Sequence, residues 1–249
     1  MAEKFKQAMR KSQRRIEYAK APAVKVDDKE AIVEAVHRKR VKKLLFGENI
    51  GDWLPKTELG KKVKAGEIKD LNEIFDKNLK IMEPEIVDFF IKEIKEKLMD
   101  TTKTSYVRMA GRKYGYRCAV LIGDGSSFLG FGIAKDKDKW TSAGKAARMA
   151  RLNLIRAKRG CGSWECTCGT GHSVPFNVSG KTGASRITLM PAPLGTGLVA
   201  TEVVKPVLEF VGISDIWSRT SGETSTKINI IQATIDALKS TFRKEKTSH

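Results

Sequence analysis

The sequence predicts an α+β fold: an α-β-β-β-α segment followed by a β-β-α-β-α two-layer sandwich with its helices on one face. Three patterns carry this. Short apolar runs of strand character, separated by Gly- and Asp-bearing turns, fill 102–135 and 173–220. Segments with helical spacing of apolar residues flank the first group, at 84–98 and 141–158. The second group is interrupted by a helical segment, 200–212, and closed by another that ends near 242.

In chain order, residues 1–50 read as a basic extension, with one helix over DKEAIVEAVHRKRVKKLLF (28–46). Residues 51–101 form a strap and helix leading into the first domain. GDWLPKTELGKKVKAGEI is punctuated by Gly and Pro and reads as ordered but irregular. MEPEIVDFFIKEIKEKL places Pro84 at the first turn of an amphipathic helix, with Ile86, Phe89, Phe90, Ile94 and Leu98 on its apolar stripe. Residues 102–160 form the first domain: a strand TKTSYVRMAG, a loop GRKYGYR, a strand CAVLIG, the hairpin dipeptide Asp124-Gly125, a strand SFLGFGIAK and a helix from Thr141. Along that helix Ala143, Ala146, Ala147, Ala150, Leu154 and Ala157 fall on one side, and Lys145, Arg148, Arg156 and Arg159 on the other. Residues 161–172 are a Cys/His linker. Residues 173–249 are the second domain: strands SVPFNVSG and SRITLMPA around a turn, a helix ATEVVKPVLEFVG, a strand ISDIWSRT and a last helix.

The net charge of +18 points to a polyanionic partner, of which nucleic acid is the commonest. Its placement is uneven. Residues 100–160 carry 14 basic and 4 acidic side chains, whereas 41–99 carry 12 of each. A single-sign block of that kind is the footprint of a binding surface. The run Arg112-Lys113-Tyr114-Gly115-Tyr116-Arg117 mixes cations, which pair with phosphates, with aromatics, which stack on unpaired bases; the plain alternative is a solvated hairpin tip. No apolar run approaches the ~20 residues of a membrane span, and MAEKFKQAMRKSQRR has no apolar core of a secretory leader, so no membrane partner and a cytoplasmic location are expected. No Walker loop, Gly-x-Ser-x-Gly elbow or HExxH helix is present, and no enzymatic activity is expected.

Three of the four cysteines lie in CGSWECTCGTGH. Cys161, Cys166, Cys168 and His172 make a complete tetrahedral set, suited to one structural Zn2+ with no position left for water. Reduced cysteines packed in a linker are the alternative, since the spacing is not a paired C-x2-C knuckle. Cys118, mid-strand, reads as a core residue.

YGYRCAVLIGDGSSFLGFGIAKDKD, NLIRAKRG, GTGLVATEVVKPVLEFVGISDIW and INIIQATIDALKS resemble the small-subunit ribosomal protein S-five family. DWLPKTELGKKVKAGEI, IMEPEIVDFF and RGCGSWECTCGTGHSVPF resemble its archaeal-type branch; the match is collinear over about 50–242. The resemblance implies a double-stranded-RNA-binding-like first domain and a second domain with a left-handed β-α-β crossover. It implies a ribosomal constituent that binds small-subunit rRNA, lines the region where mRNA enters, supports the head–body arrangement and affects translational accuracy. The implied neighbours are the S-three, S-four and S-eight equivalents. The RNA-contact candidates are Lys103, Arg108, Arg112, Lys113, Tyr114, Tyr116, Arg117, Lys145, Arg148, Arg151, Arg156, Lys158 and Arg159. Eukaryotic relatives tend to lack the cysteines, so the fold does not require a metal in general; a zinc ion would pin the linker and present Arg156, Lys158, Arg159 and Trp164.

Two other readings remain open. One is an RNA-binding protein acting outside the ribosome. The other is a small-molecule kinase of related fold, whose phosphate loop reads P-x-x-x-G-L-x-S-S-A. Here Thr196 replaces the Leu, and Leu198 and Val199 replace the two serines, so the phosphate-binding hydroxyls are missing.

Overall fold

The computed structural model of the chain describes residues 53–91 and 93–243; the basic extension and the helix expected at 28–46 lie outside them. The helices are α1 (Glu58–Ala65), α2 (Leu71–Asp76), α3 (Glu85–Phe90), α4 (Lys139–Leu152), α5 (Lys205–Val211) and α6 (Lys227–Arg243). Strands β1 (Lys95–Arg108), β2 (Gly111–Gly123), β3 (Phe128–Asp136) and β4 (Leu154–Arg156) form an antiparallel sheet in chain order. Strands β5 (Val178–Thr182), β6 (Ser185–Pro191), β7 (Leu198–Val199) and β8 (Ile216–Ser221) form a second, ordered β5-β6-β8-β7, with β7 parallel to β8. The α+β architecture is as the sequence predicts; several boundaries are not.

The segment read as irregular contains α1. Thr57 caps it by accepting the Gly60 N–H at 3.1 Å, and Gly66, with a left-handed φ of 80°, closes it. The helix expected over 84–98 stops at Phe90, and 95–98 belong to β1. KEKL has good helical propensity, but Glu96 and Leu98 pair with Ile122 and Val120 of the fully buried part of β2, and that pairing overrides local preference. The run 112–117, read as a loop, is the start of β2. Helix α4 ends at Leu152, and Leu154–Arg156 turn onto the edge of β3 as β4. The helical wheel therefore does not apply to Leu154, Arg156, Ala157 and Arg159. In the second half, β5 starts at Val178 rather than at 173, a two-residue β7 precedes α5, and α5 starts at Lys205.

The inner strands of the first sheet, β2 from Cys118 and β3, are covered on both faces. Val120 and Ile122 face α4, joined by a cluster from α1, α2 and α3 that includes Val63, Ile74 and Ile86. Ala119, Leu121, Leu129 and Phe131 face the second half, packing in one core with Val207, Phe210 and Val211 of α5. Glycine sets the depth of the α4 contact. A Cβ at Gly132 would lie 2.1 Å from the Ala146 carbonyl oxygen, so the alanine face can lie on the sheet only because that side chain is missing.

Arg151 departs most from expectation. Placed among the RNA contacts by its charge, it is 2% exposed. Its Nε donates to Asp88 Oδ1 at 2.8 Å and its Nη2 to Glu96 Oε1 at 2.7 Å, which ties α4 to α3 and β1. Burial pushes the Glu96 carboxyl up, against the pull of the Arg151 guanidinium. Arg151→Met should cost about 3–5 kcal/mol, because it leaves a buried carboxylate without its cation. Urea unfolding of the full chain measures this; a loss under about 1 kcal/mol would contradict the structural role.

Candidate nucleic-acid interface and metal centre

The β1–β2 hairpin turns on Met109 and Ala110 alone, since Arg108 pairs directly with Gly111. Strand β3 pairs with β2 only from Tyr116 to Gly123. Residues 104–115 therefore run on as a two-stranded ribbon, about 17 Å long at ~3.3 Å per residue. Strand alternation sorts its side chains. Lys103, Arg112, Tyr114 and Tyr116 share one face, and Arg108, Lys113 and Arg117 the other. Lys103 Nζ lies 4.2 Å over the Tyr114 ring, and the Arg108 guanidinium lies 5.2 Å from the Tyr106 ring. Arg117 Nε donates to Thr102 Oγ1 at 3.2 Å. Tyr106 is 50% exposed and Met109 fully so. Val107 is exposed as well, so the tip is apolar and rimmed by cations. That combination suits unpaired bases and their phosphates.

On α4, Lys145 and Arg148 are exposed. Lys145 Nζ is 2.7 Å from Asp136 Oδ2, and that hydrogen bond, aided by the Lys137 amide, holds the Asp136 carboxyl down at about 2. Arg156 pairs with Asp76 at 3.0 Å and lies 4.7 Å over the Phe242 ring. Arg159 is exposed, and its Nη1 donates to the Gly212 carbonyl at 3.3 Å. With Lys158 they line an open cleft of about 440 Å³ beside Gly171, next to the cysteine segment.

Cys161, Cys166, Cys168 and His172 come together. Their ligand atoms all lie within 4.8 Å of one another. A tetrahedron with ~2.3 Å metal–sulfur bonds has edges of about 3.8 Å, so a small contraction completes it. Gly160 and Ser173 exchange backbone hydrogen bonds of 2.9 Å, closing the segment into a loop at its base. Burial, with Cys168 and Cys166 close by, pushes the Cys161 thiol up to about 11. Hydrogen bonding with Thr170 brings Cys168 down to about 6. Three packed thiols thus do not ionise alike on their own; a divalent cation, if held there, would supply the charge that lets them. Trp164 is 90% exposed. Cys118 is fully buried, with the Ser142 hydroxyl donating to its sulfur at 2.8 Å, as a core residue should be.

Sequence reasoning missed the partner of His172. Asp215 Oδ2 lies 2.9 Å from His172 Nδ1, and both residues are buried. Where Asp215 accepts the Nδ1–H, Nε2, 3.6 Å from Cys166 Sγ, is the nitrogen left available to a metal. Asp215 Oδ1 accepts the N–H groups of Gly195 at 3.0 Å and Gly197 at 2.8 Å. The loop that invites comparison with a kinase phosphate site therefore has its amides filled from within by a carboxylate. No spacing in ISDIW signals this; only the need of a ligand histidine for an outer partner does.

Asp215→Ala strips one acceptor from two loop amides and one from His172. It should cost about 1–3 kcal/mol, the penalty of orphaning the buried His172 donor, since water can reach the Gly195 and Gly197 amides. Urea unfolding in the presence of a chelator isolates this from any metal effect; an unchanged midpoint would contradict it.

Residues 94–158 match the family model of the ribosomal protein S5 N-terminal domain, and residues 180–248 that of its C-terminal domain. The small ribosomal subunit protein uS5 of Ignicoccus hospitalis is 46% identical over 192 residues, 77% of this chain and 91% of its own length. That of Methanocaldococcus jannaschii is 46% identical over 192 residues, 77% and 88% of the two chains. That of Hyperthermus butylicus is 48% identical over 193 residues, 77% and 91%. With both halves matched in order, and relatives of this closeness spanned over nearly their whole length, the chain belongs to the ribosomal protein S5 family.

Proposed function

We propose that this chain, a structural and non-enzymatic constituent of the small ribosomal subunit, holds small-subunit rRNA with the β1–β2 ribbon and with the basic edge of α4 and β4. One observation carries the reading. Residues 103–117 hold five cations, three tyrosines and no carboxylate, and most of them project beyond the edge of β3. Phosphate contacts from Lys103, Arg108, Arg112, Lys113 and Arg117 supply affinity, and Tyr114 and Tyr116 stack on bases. Arg148, Arg156, Lys158 and Arg159 extend the surface, with Lys145 joining on release from Asp136. The buried Arg151 is withdrawn from this set. The family resemblance supports a position where mRNA enters, beside the S-three, S-four and S-eight equivalents, with a part in translational accuracy.

The Cys/His cluster binds one structural Zn2+. Its donor set of three sulfurs and one imidazole nitrogen is complete, so a bound ion would fix the 161–172 loop without offering a site for substrate. Asp215 orients the ligand histidine, and the base of the loop is closed at Gly160 and Ser173.

Replacing Arg112 and Lys113 by alanine should raise miscoding or slow assembly of the small subunit, and lower the salt slope of rRNA binding by about one per cation lost. A misreading reporter and gradient profiles of subunits measure the first two; normal values in both would contradict the ribbon reading. Purified full-length chain should carry about one zinc per molecule by elemental analysis, and Cys166→Ser with Cys168→Ser should carry almost none. Equal metal content in the two, or none in either, would leave the cysteines as plain packing.

A further inference from the structure

The second sheet has one face covered and one open. Val178, Ile187, Leu189 and Ile216 point to the helices, and Gly180 lies so close to α6 that a Cβ there would meet the Ala233 carbonyl oxygen at 2.0 Å. Among the described residues no helix covers the opposite face. The register assigns that face in rows: Lys181 beside Arg186 beside Ser221, then Ser179 beside Thr188 beside Arg219, then Met190 beside Trp217 beside Val199. Four strands hold no Asp or Glu at all, and their three cations, Lys181, Arg186 and Arg219, all stand on this face and are exposed. None of the three makes an ion pair among the described residues.

Like charges directly opposite each other on neighbouring strands are destabilising, and Lys181 and Arg186 are such a pair. A sheet designed only to be wetted would place a carboxylate between them, as Asp136 sits against Lys145 elsewhere in this chain. The third row adds a half-exposed Trp217 between Met190 and Val199, an apolar edge next to the cations. Two cations in one row, a third in the next and an exposed aromatic in the row after it, on a sheet of ~4.8 Å strand spacing, match the phosphates and one base of a nucleic-acid strand.

We propose that this open face of the β5-β6-β8-β7 sheet is a second RNA-contact surface. Lys181, Arg186 and Arg219 engage the phosphates of an rRNA segment and Trp217 stacks on a base. The inference rests on the rRNA-binding reading above, and adds to it a surface on the half of the molecule remote in sequence from the ribbon.

The test uses the full chain and transcribed small-subunit rRNA, with affinity measured across a salt series. Four proteins are compared: the unaltered chain; Lys181→Gln with Arg186→Gln and Arg219→Gln; the ribbon variant Arg112→Ala with Lys113→Ala; and a control with Lys61, Lys62 and Lys205 changed to Gln. All substituted side chains are exposed, and circular dichroism checks folding. The sheet variant should bind at least tenfold more weakly and lose about 2 from the salt slope, at ~0.7–0.9 per phosphate contact. The control should stay within about twofold of the unaltered chain. If the ribbon variant loses affinity and the sheet variant does not, the second surface is overturned and the ribbon reading stands. If the control loses as much as the sheet variant, the effect is general charge and the surface is overturned. If neither variant differs from the unaltered chain, both readings fall. In intact subunits, ultraviolet crosslinking should leave nucleotide adducts on peptides containing Trp217; crosslinks from them to a neighbouring protein alone would also overturn the proposal.

Discussion

One buried carboxylate joins the parts of this molecule that the chain order keeps apart. Asp215, just before β8, holds His172 with one oxygen and the Gly195 and Gly197 amides with the other. The backbone repeats the link, since the Ser214 N–H donates to the His172 carbonyl at 2.9 Å. Through these bonds the cysteine loop, the glycine loop before β7 and the start of β8 take one arrangement together. The same bonds set this loop of kinase-like outline apart from a phosphate site: the Gly195 and Gly197 amides already donate to a carboxyl oxygen of the chain itself.

A second constraint acts on the first sheet. The two faces of its inner strands are used up, one by α4 and the N-terminal helices, the other by α5 and the core of the second half. Among the described residues, the surfaces left open include the ribbon beyond Tyr116, the outer side of α4 and the helix-free face of the second sheet. The charge follows this geometry. The ribbon strands from 103 to 117 and the four strands of the second sheet lack carboxylates, and carboxylates elsewhere in the chain pair with cations of the frame. Asp88 and Glu96 serve Arg151, Asp76 serves Arg156, and Asp136 serves Lys145. A protein that contributes shape and charge needs a rigid frame behind an acid-free surface, and this division supplies it.

Much of this was legible in the residues. The short apolar runs on either side of the turn at Asp124-Gly125 located β2 and β3, and the alanine repeat located α4. The four residues of the Cys/His cluster were singled out by type and by their closeness in sequence, because a tetrahedral donor set needs only a loop that can close, and the structure brings them together. What the sequence hid was depth. Arg151 looks like any other cation of a basic helix, yet it stands four residues after Ala147, on the flank of the buried alanine stripe, and that was the available signal. The change from helix to strand after Phe90 was hidden because KEIKEKL favours a helix locally, and only pairing with β2, about twenty-five residues on, decides otherwise. Asp215 and the cations of the second sheet were invisible for the same reason: their roles exist only once distant strands are side by side.

The claim on which the rest hangs is that the acid-free ribbon lies on small-subunit rRNA. Crosslinking in living cells, with sequencing of the RNA attached to this protein, tests it most directly. The account predicts reads concentrated at a few positions of small-subunit rRNA, with the attached peptides drawn from 103–117. Reads scattered over messengers, or rRNA attached only through other parts of the chain, would contradict it.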